Sequence, residues 1–241
     1  MWIASLLDDA VMQVDADSGR VLRTIESSHG QPFFRPIGIA AIGHDLWVVN
    51  HGDETVSSSL TRPDARTGSV TGTTKLPGHH AGGPLLAAGR LWISLTTEAT
   101  VVRVDPGTGR VLGSPITVNT GTCLSGSVAD GDVWYTGLDD GEGGTCQTVA
   151  RRLDADTARL SPTPYGPGKS LFEFASAGGS LWSTDIGRTI YRVDVDTDAI
   201  RPALTLDGPA GTNRLVAAFG SLWVLGGETG QLVRIDAPGP D

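Results

Sequence analysis

Apolar and polar positions form short runs along this chain, and the runs repeat. Five of the runs are near-copies of one phrase built around a tryptophan: His44-Asp-Leu-Trp-Val-Val, Gly89-Arg-Leu-Trp-Ile-Ser, Gly131-Asp-Val-Trp-Tyr-Thr, Gly179-Ser-Leu-Trp-Ser-Thr and Gly220-Ser-Leu-Trp-Val-Leu. Together with Trp2, the tryptophans stand 45, 45, 42, 48 and 41 residues apart. An alternating apolar run that closes on an aspartate follows, as in Val101-Val-Arg-Val-Asp105. Period-two alternation bounded by turn residues predicts β-strands.

A tight turn is predicted after each closing aspartate. The aspartate is usually followed by two residues, a Ser or Thr, and a glycine, as from Asp105 to Gly109. The carboxylate accepts hydrogen bonds from turn amides, and glycine takes the left-handed conformation that ends the turn. Ala158 and Asp198 replace that glycine in two units. Because alanine tolerates the conformation poorly, we expect the turn at Ala158 to be the most strained.

Each repeat therefore predicts four antiparallel strands, which we call a, b, c and d, with the tryptophan in strand b. Short strands at a period of about 40 to 45 residues are typical of propeller blades. The predicted fold is an all-β, six-bladed β-propeller in one domain, with units 1–34, 35–82, 83–123, 124–170, 171–211 and 212–241. A two-sheet sandwich, the alternative, does not explain six matched phrases.

The first and last blades are predicted to be incomplete. The chain opens on strand b of the first unit and stops after strand c of the sixth. The pattern gives five a, six b, six c and five d strands. We expect that further sequence precedes Met1 in the complete protein and that it could include an export signal.

Variation in length falls at one end of the predicted blades. The closing aspartate follows its tryptophan by 13, 17, 13, 20, 12 and 13 residues, so the b–c loops of units two and four carry insertions. In a four-stranded meander, the b–c loops and the crossovers from d to a lie at one end, and the a–b and c–d turns lie at the other. Loops that vary on a constant scaffold predict a binding surface.

Charge and hydropathy exclude two classes of partner. The formal net charge of -9 and the presence of only two lysines, Lys75 and Lys169, disfavour nucleic acid, which needs clustered cations. The apolar runs are far shorter than the roughly 20 residues of a membrane helix. The first nine residues lack the basic segment of a signal peptide. We expect a monomer with no membrane span.

Both cysteines are predicted to lie at one end of the fourth blade. Cys123 is in the crossover that enters that unit, and Cys146 is in its inserted b–c loop. One interpretation is a disulfide that pins the glycine-rich loop and indicates an oxidising compartment. The other is a pair of free thiols in a cytosolic protein.

The candidate binding residues are polar side chains of the predicted loop end. All five histidines fall in the first third of the chain, at His29, His44, His51, His79 and His80. Those near the b–c loop of unit two could form a metal or acid–base cluster, or a solvated polar loop. Glu173 and Arg214 each stand nine residues before a tryptophan in neighbouring units, so we expect an ion pair that could orient an anionic ligand. The complete candidate set is Arg35, His51, Asp53, His79, His80, Glu98, Asp139, Glu173, Asp185, Arg188 and Arg214.

The two repeated phrases, Gly-x-Leu-Trp-Val and Val-x-Arg-Val-Asp-Pro-Gly-Thr-Gly-Arg-Val, resemble the repeats of bacterial YncE-like and virginiamycin B lyase-like propellers. Similar units occur in extracellular sensor propellers of bacterial kinases. The resemblance covers nearly the whole chain, but the phrases encode blade structure. The lyases that it resembles use late-chain histidines with magnesium to open a cyclic depsipeptide, whereas this chain has no histidine after His80. No catalytic residue therefore carries over.

These observations predict a non-catalytic, secreted or cell-surface propeller without a cofactor. It would bind a peptide, glycan, small molecule or protein across the loop end, as a sensor or an interaction module. The alternative is a metal-assisted lyase or hydrolase with its site at the channel mouth, and only that alternative requires a divalent metal. A scaffold without a small ligand is a third interpretation. Because one fold supports many functions, the fold does not decide among them.

Overall fold

The computed structural model describes residues 1–26, 32–118, 125–140, 146–162, 171–185, 187–194, 197, 199–207, 213–226 and 230–236, apart from the side chains of 138–140, 146–149 and 213. Every regular element in these ranges is a β-strand, and the strands form six antiparallel sheets of three or four strands. The predicted all-β class with six blades is confirmed. Among the described residues, no helix is long and apolar enough to cross a membrane.

The chain forms two compact units, Met1–Asn119 and Thr120–Asp241. Unit one contains three sheets, each of which is a meander in chain order. The first sheet consists of β1 (Trp2–Ser5), β2 (Ala10–Val14) and β3 (Val21–Glu26). The second consists of β4 (Pro36–Ile42), β5 (Asp45–Asn50), β6 (Ser59–Pro63) and β7 (Val70–Lys75). The third consists of β8 (Leu85–Ala87), β9 (Arg90–Leu95), β10 (Thr100–Val104) and β11 (Val111–Thr117).

Unit two contains the remaining three sheets, again as meanders. The fourth sheet consists of β12 (Ser125–Ala129), β13 (Asp132–Asp140) and β14 (Cys146–Leu153). The fifth consists of β15 (Leu171–Ala177), β16 (Ser180–Asp185), β17 (Thr189–Val193) and β18 (Ile200–Thr205). The sixth consists of β19 (Asn213–Ala218), β20 (Ser221–Gly226) and β21 (Leu232–Asp236).

The strand counts agree with the predicted pattern except in the fourth sheet. Among the described residues, the first sheet has no a strand and the sixth has no d strand, as the repeats predicted. The fourth sheet has three strands among the described residues, and beyond them a single bridge joins Leu153 to Leu160. Residues 163–170, where the chain runs on toward the fifth sheet, lie outside the description.

Strand β5 is apolar on both faces because it lies between two neighbouring sheets of unit one. In β5, Trp47 and Val49 pack in one cluster with Leu91 and Val102 of the third sheet. The alternate residue Val48 packs in another cluster, with Val11 of the first sheet. A strand that is buried on both sides needs a continuous apolar run, which is why the tryptophan phrase does not alternate.

The indole rings of unit two join neighbouring sheets in the same way. Trp134 of the fourth sheet stacks on Phe174 of the fifth, with ring centroids 4.6 Å apart. Trp182 of the fifth sheet packs in one cluster with Leu215 and Leu222 of the sixth. Burial of an aromatic side chain of this size contributes roughly 4–6 kcal/mol as an upper bound. Trp47, Trp134 and Trp182 therefore each pack one blade against the next blade of the same unit.

The c–d turns form as the aspartate and glycine pattern predicted. In the third sheet, Oδ1 of Asp105 accepts hydrogen bonds from the amides of Gly107 and Thr108, at 2.8 and 2.9 Å. The hydrogen bonds of Thr108, its backbone amide first, outweigh burial and lower the pKa of Asp105. Gly109 closes the turn with φ of 72°, and Ala158 adopts 59° at the corresponding place in the fourth sheet. The left-handed conformation expected at Ala158 is therefore present.

The outermost strands contain residues that discourage pairing with another chain. Gly72 lies in β7, Gly113 and Pro115 lie in β11, and Pro202 lies in β18. Proline removes a backbone donor, and glycine weakens a strand, so an edge of this kind is a poor template for further strands. The register of β11 also shifts against β10 between Val101 and Arg103.

Candidate functional site

Three b–c loops and two crossovers of unit one meet at one end of its sheets. We call this surface, residues 6–9, 32–35, 51–58, 76–84 and 96–99, the loop face. Backbone hydrogen bonds link the segments: the amide of His51 donates to the carbonyl of Arg35 at 3.0 Å, and that of Ala81 donates to His51 at 3.0 Å. The amide of Thr96 donates to His80 at 3.3 Å. The loops that the blade pattern assigned to one end therefore touch one another.

Two buried polar side chains beneath the loop face hold it in place through hydrogen bonds. Ser58 is fully buried, and its hydroxyl donates to the carbonyl of His51 at 2.6 Å and accepts from the amide of Ala81 at 3.0 Å. Asn50, equally inaccessible, donates to the hydroxyls of Ser59 and Thr61, both at 2.9 Å. The sequence analysis missed Ser58 and Asn50. Asn50 ends a buried apolar strand, and a polar residue in that position was an available signal, whereas Ser58 offered none.

His51 and His80 lie side by side on the loop face. Their ring centroids are 5.1 Å apart, and the ring planes are inclined by 55°. Nδ1 of His51 lies 2.8 Å from the carbonyl oxygen of Ala81, and Nδ1 of His80 lies 2.8 Å from the hydroxyl of Thr97. Nε2 of His80 lies 3.7 Å from the carboxylate of Glu54. The predicted proximity of His51 and His80 is present, and Thr97 is a contact that the sequence did not indicate.

His79 is hydrogen-bonded to a different carboxylate, that of Glu98. Its backbone amide and Nδ1 both bond to Glu98, at 3.0 and 2.9 Å. Burial alone raises the pKa of Glu98, but the hydrogen bonds from His79 outweigh it and lower that pKa. A Cβ atom on Gly78 would stand 2.5 Å from the same carboxylate, so a larger residue at this position would displace the Glu98 side chain.

Arg35 and Asp53 stabilise the loops that carry them. Arg35 has φ of 53°, its amide donates to the carboxylate of Asp9 at 2.6 Å, and its guanidinium donates to the carbonyl of Gly52 at 3.4 Å. Oδ1 of Asp53 accepts from the hydroxyl and amide of Thr55, each at 2.8 Å. These bonds lower the pKa of Asp53. Both residues therefore hold the shape of the loop face.

In unit two, the expected ion pair between Glu173 and Arg214 is present. It joins the neighbouring inner strands β15 and β19, and the hydroxyl of Ser125 on β12 adds a contact to Glu173 at 3.4 Å. The carboxylate is nearly buried, whereas 63% of the Arg214 side chain is exposed, and its guanidinium lies over the ring of Phe172. Burial raises the pKa of Glu173, although Arg214 acts against that shift.

The other candidates of unit two do not gather into one site. Oδ1 of Asp185 accepts the amides of Gly187 and Thr189, and its Oδ2 accepts the hydroxyl of Tyr191 at 3.2 Å, so this side chain closes its own b–c turn. Arg188 is exposed beside it. His29, Cys123 and the side chains of Asp139 and Cys146 lie outside the described residues. Within the described ranges, no three His, Cys, Asp or Glu side chains form a group that could hold a metal ion.

A cavity of about 660 Å³ opens at the opposite end of unit two, beside the turns. Its lining includes Asp130, Ser176, Arg192, Asp194 and Arg201. The sequence placed no candidate site at this end. Arg192 faces Trp182 across the strand pair and repeats the position of Arg103 against Trp92, so its place is set by the blade pattern.

Comparison with known proteins supports the fold. No protein-family model matches the chain, and no curated protein shows significant sequence similarity to it. Among solved structures, the chain is similar to BamB from Moraxella catarrhalis, a β-propeller, with a TM-score of 0.58 and 12% sequence identity. The match covers 95% of this chain and 66% of BamB, so the chain spans less than two thirds of that protein. The architecture is that of a β-propeller.

Proposed function

We propose that this chain is a non-catalytic binding module that takes a peptide, glycan, small molecule or protein on its loop face. The observation that carries the proposal is the hydrogen-bonded assembly of five separate segments into one surface. Backbone bonds and buried side chains fix the segments, so the outward side chains are held in place before a ligand arrives. Such preorganisation reduces the ordering cost of binding.

We further propose that the module acts outside the cytoplasm, in the manner of the YncE-like and virginiamycin B lyase-like propellers whose repeats it resembles. The support is the pair of repeated phrases, and a disulfide between Cys123 and Cys146 is part of the same proposal. The low content of lysine and the net charge of -9 also favour a partner other than nucleic acid. Fold similarity to BamB adds support for the architecture alone.

The test uses peptide and glycan arrays with two charge-reversal variants. Glu54→Lys lies on the loop face, where its side chain is 85% exposed, and Asp17→Lys lies on an exposed c–d turn at the other end. Both change the net charge equally, so they separate position from charge. We expect array binding that is lost or altered in Glu54→Lys and retained in Asp17→Lys. Equal effects of the two variants, or no reproducible binding by the native chain, would contradict the proposal.

A further inference from the structure

We propose that the cavity at the turn end of the fifth sheet binds a small hydroxylated organic acid through the carboxylate of that acid. The cavity has a volume of about 660 Å³, and its lining comes chiefly from the a–b turn, the end of β17 and the start of β18. Its volume is within the range of small-molecule pockets. The site shares no residue with the loop face, and the inference does not depend on the proposed function.

Two arginines stand side by side on the wall of this cavity. Arg192 of β17 and Arg201 of β18 are directly opposite each other in the strand register, and both line the cavity. Like charges at directly opposite positions, where Cβ atoms are about 4.5–5.5 Å apart, destabilise a sheet. In the third sheet the corresponding pair is Arg103 with the apolar Leu112. A pair of guanidinium groups favours an anion between them, and their N–H donors match the two oxygens of a carboxylate.

The residue that follows the a–b turn supports the choice of a carboxylate. In the second and fourth sheets this residue is an aspartate that pairs with the arginine of the c strand: Asp45 with Arg62, and Asp132 with Arg152. Ser180 holds the corresponding place in the fifth sheet, lines the cavity, and has a buried hydroxyl without a hydrogen-bond partner among the described residues. The carboxylate of the ligand therefore takes the place that a side-chain carboxylate has in those two sheets.

The a–b turn of the fifth sheet leaves the cavity accessible. Its two central residues, Gly178 and Gly179, line the cavity with φ of 58° and 71°. The corresponding turns of the fourth and sixth sheets have Asp130 and Phe219 at the first of these positions. Because neither central residue of the turn in the fifth sheet has a side chain, a ligand can approach the arginines past the turn.

Two aspartates also line the cavity, and they bear on the kind of acid. Oδ1 of Asp194 accepts the amide of Thr197 at 3.0 Å, so this carboxylate closes its own c–d turn. Asp130 is exposed, and its amide donates to the hydroxyl of Ser176, which fixes the backbone beside the cavity. The carboxylate of Asp130 accepts hydrogen bonds from hydroxyl groups. An acid that also carries hydroxyl groups, such as a sugar acid, therefore fits this lining.

The experiment is calorimetric titration of the chain with glucuronate and galacturonate, each compared with its uncharged methyl ester. We expect one equivalent of at least one acid to bind, and its ester to bind at least tenfold more weakly. Arg201→Gln should weaken binding of the acid at least tenfold, because a hydrogen bond to a charged group is lost. The same change removes a like-charged neighbour, so it should not lower the thermal midpoint. The matched control is Arg23→Gln in the d strand of the first sheet, which should bind as the native chain does.

A second pair of variants tests the place of the carboxylate. Ser180→Asp supplies the carboxylate from within the chain, as Asp132 does in the fourth sheet, so it should abolish binding of the acid. Ser221→Asp makes the same change at the corresponding position of the sixth sheet and should leave binding intact. Failure of both acids to bind, equal binding of the esters, or native binding by Ser180→Asp would overturn the inference. Glu54→Lys should bind the acid normally, so this site and the loop face can fail separately.

Discussion

At the scale of single residues, the repeats show how a Cβ atom affects the conformation and stability of a turn. Gly109 and Ala158 hold corresponding places in the third and fourth sheets, and both have positive φ. A Cβ atom on Gly109 would lie 3.0 Å from the Trp47 ring, so this glycine serves both the turn and the packing of the second sheet. Ala158 adopts the same left-handed conformation although it has a Cβ atom, which strains its backbone.

We predict that Ala158→Gly stabilises the protein by about 0.5–1 kcal/mol. Relief of the left-handed strain, about 1–2 kcal/mol, exceeds the added entropy of the unfolded chain, about 0.4–1 kcal/mol. Urea unfolding of the two proteins measures the difference. The matched control is Gly109→Ala, which we expect to lose at least 1–2 kcal/mol from the same strain and from contact with Trp47. A stability gain in both variants would refute this account.

The tryptophans show a second difference at this scale. The indole N–H groups of Trp92, Trp134, Trp182 and Trp223 each donate to the carbonyl of the alanine five residues earlier. Nε1 of Trp47 is buried with no partner, and Ile42 holds the corresponding place. In the turn before Trp92 both central residues, Ala88 and Gly89, have positive φ, whereas before Trp47 only Gly43 does. Glycine is the second central residue of the turn before Trp92 and the first of the turn before Trp47. This difference in turn geometry changes which carbonyl the indole can reach.

At the scale of elements, three neighbouring inner strands depend on one ion pair. Glu173 on β15 lies between Ser125 on β12 and Arg214 on β19. A nearly buried carboxylate is costly without a charged partner, and Arg214 supplies the partner from the solvent side. The pair therefore stabilises the alignment of strands that belong to three different sheets.

We predict that Arg214→Ala destabilises the protein by about 1–2 kcal/mol at pH 7, because Glu173 is left without its charged partner. The folded-state pKa of Glu173 already lies above its ordinary value, so protonation of this residue favours folding. Its contribution is greatest below the unfolded pKa and is lost as pH rises through the folded pKa. The defect of Arg214→Ala should therefore shrink toward pH 4, as measured by urea unfolding across pH.

The control for this prediction is Glu173→Gln in the Arg214→Ala background. A neutral amide needs no cation, so the double variant should recover stability at pH 7 and lose the pH dependence of the defect. A defect that is constant from pH 4 to pH 7, or one that Glu173→Gln fails to relieve, would show that Arg214 acts only through packing on Phe172.

Much of the element scale could be predicted from the sequence, because each blade repeats the same physical problem. Strand order, turn positions and the pairing of Glu173 with Arg214 follow from spacing alone. The partners of individual loop side chains do not follow from spacing. His79 bonds to Glu98, while His80 lies beside Glu54 and Thr97, and that choice depends on loop geometry that no repeat encodes. Ser58 was missed because a hydroxyl gives no signal until its buried neighbours are known.

At the scale of the whole molecule, the two cysteines bear on the compartment in which the protein works. We predict that Cys123 and Cys146 are disulfide-bonded in protein recovered from an oxidising compartment. Thiol titration under denaturing conditions should find no free thiol before reduction and two after it. A Cys146→Ser variant, which leaves a single thiol, calibrates the titration. Two free thiols in unreduced native protein would contradict both the pairing and the extracytoplasmic location.

The main-chain bonds that assemble the loop face have a practical consequence. Side chains such as Glu54 and Thr97 can be exchanged while the amides and carbonyls that join the loops stay unchanged. The surface is thus a candidate for directed diversification, in which libraries of variants at exposed positions are selected against new targets. Ser58 and Asn50 would be kept constant in such libraries, because their buried hydrogen bonds hold the loops in every variant.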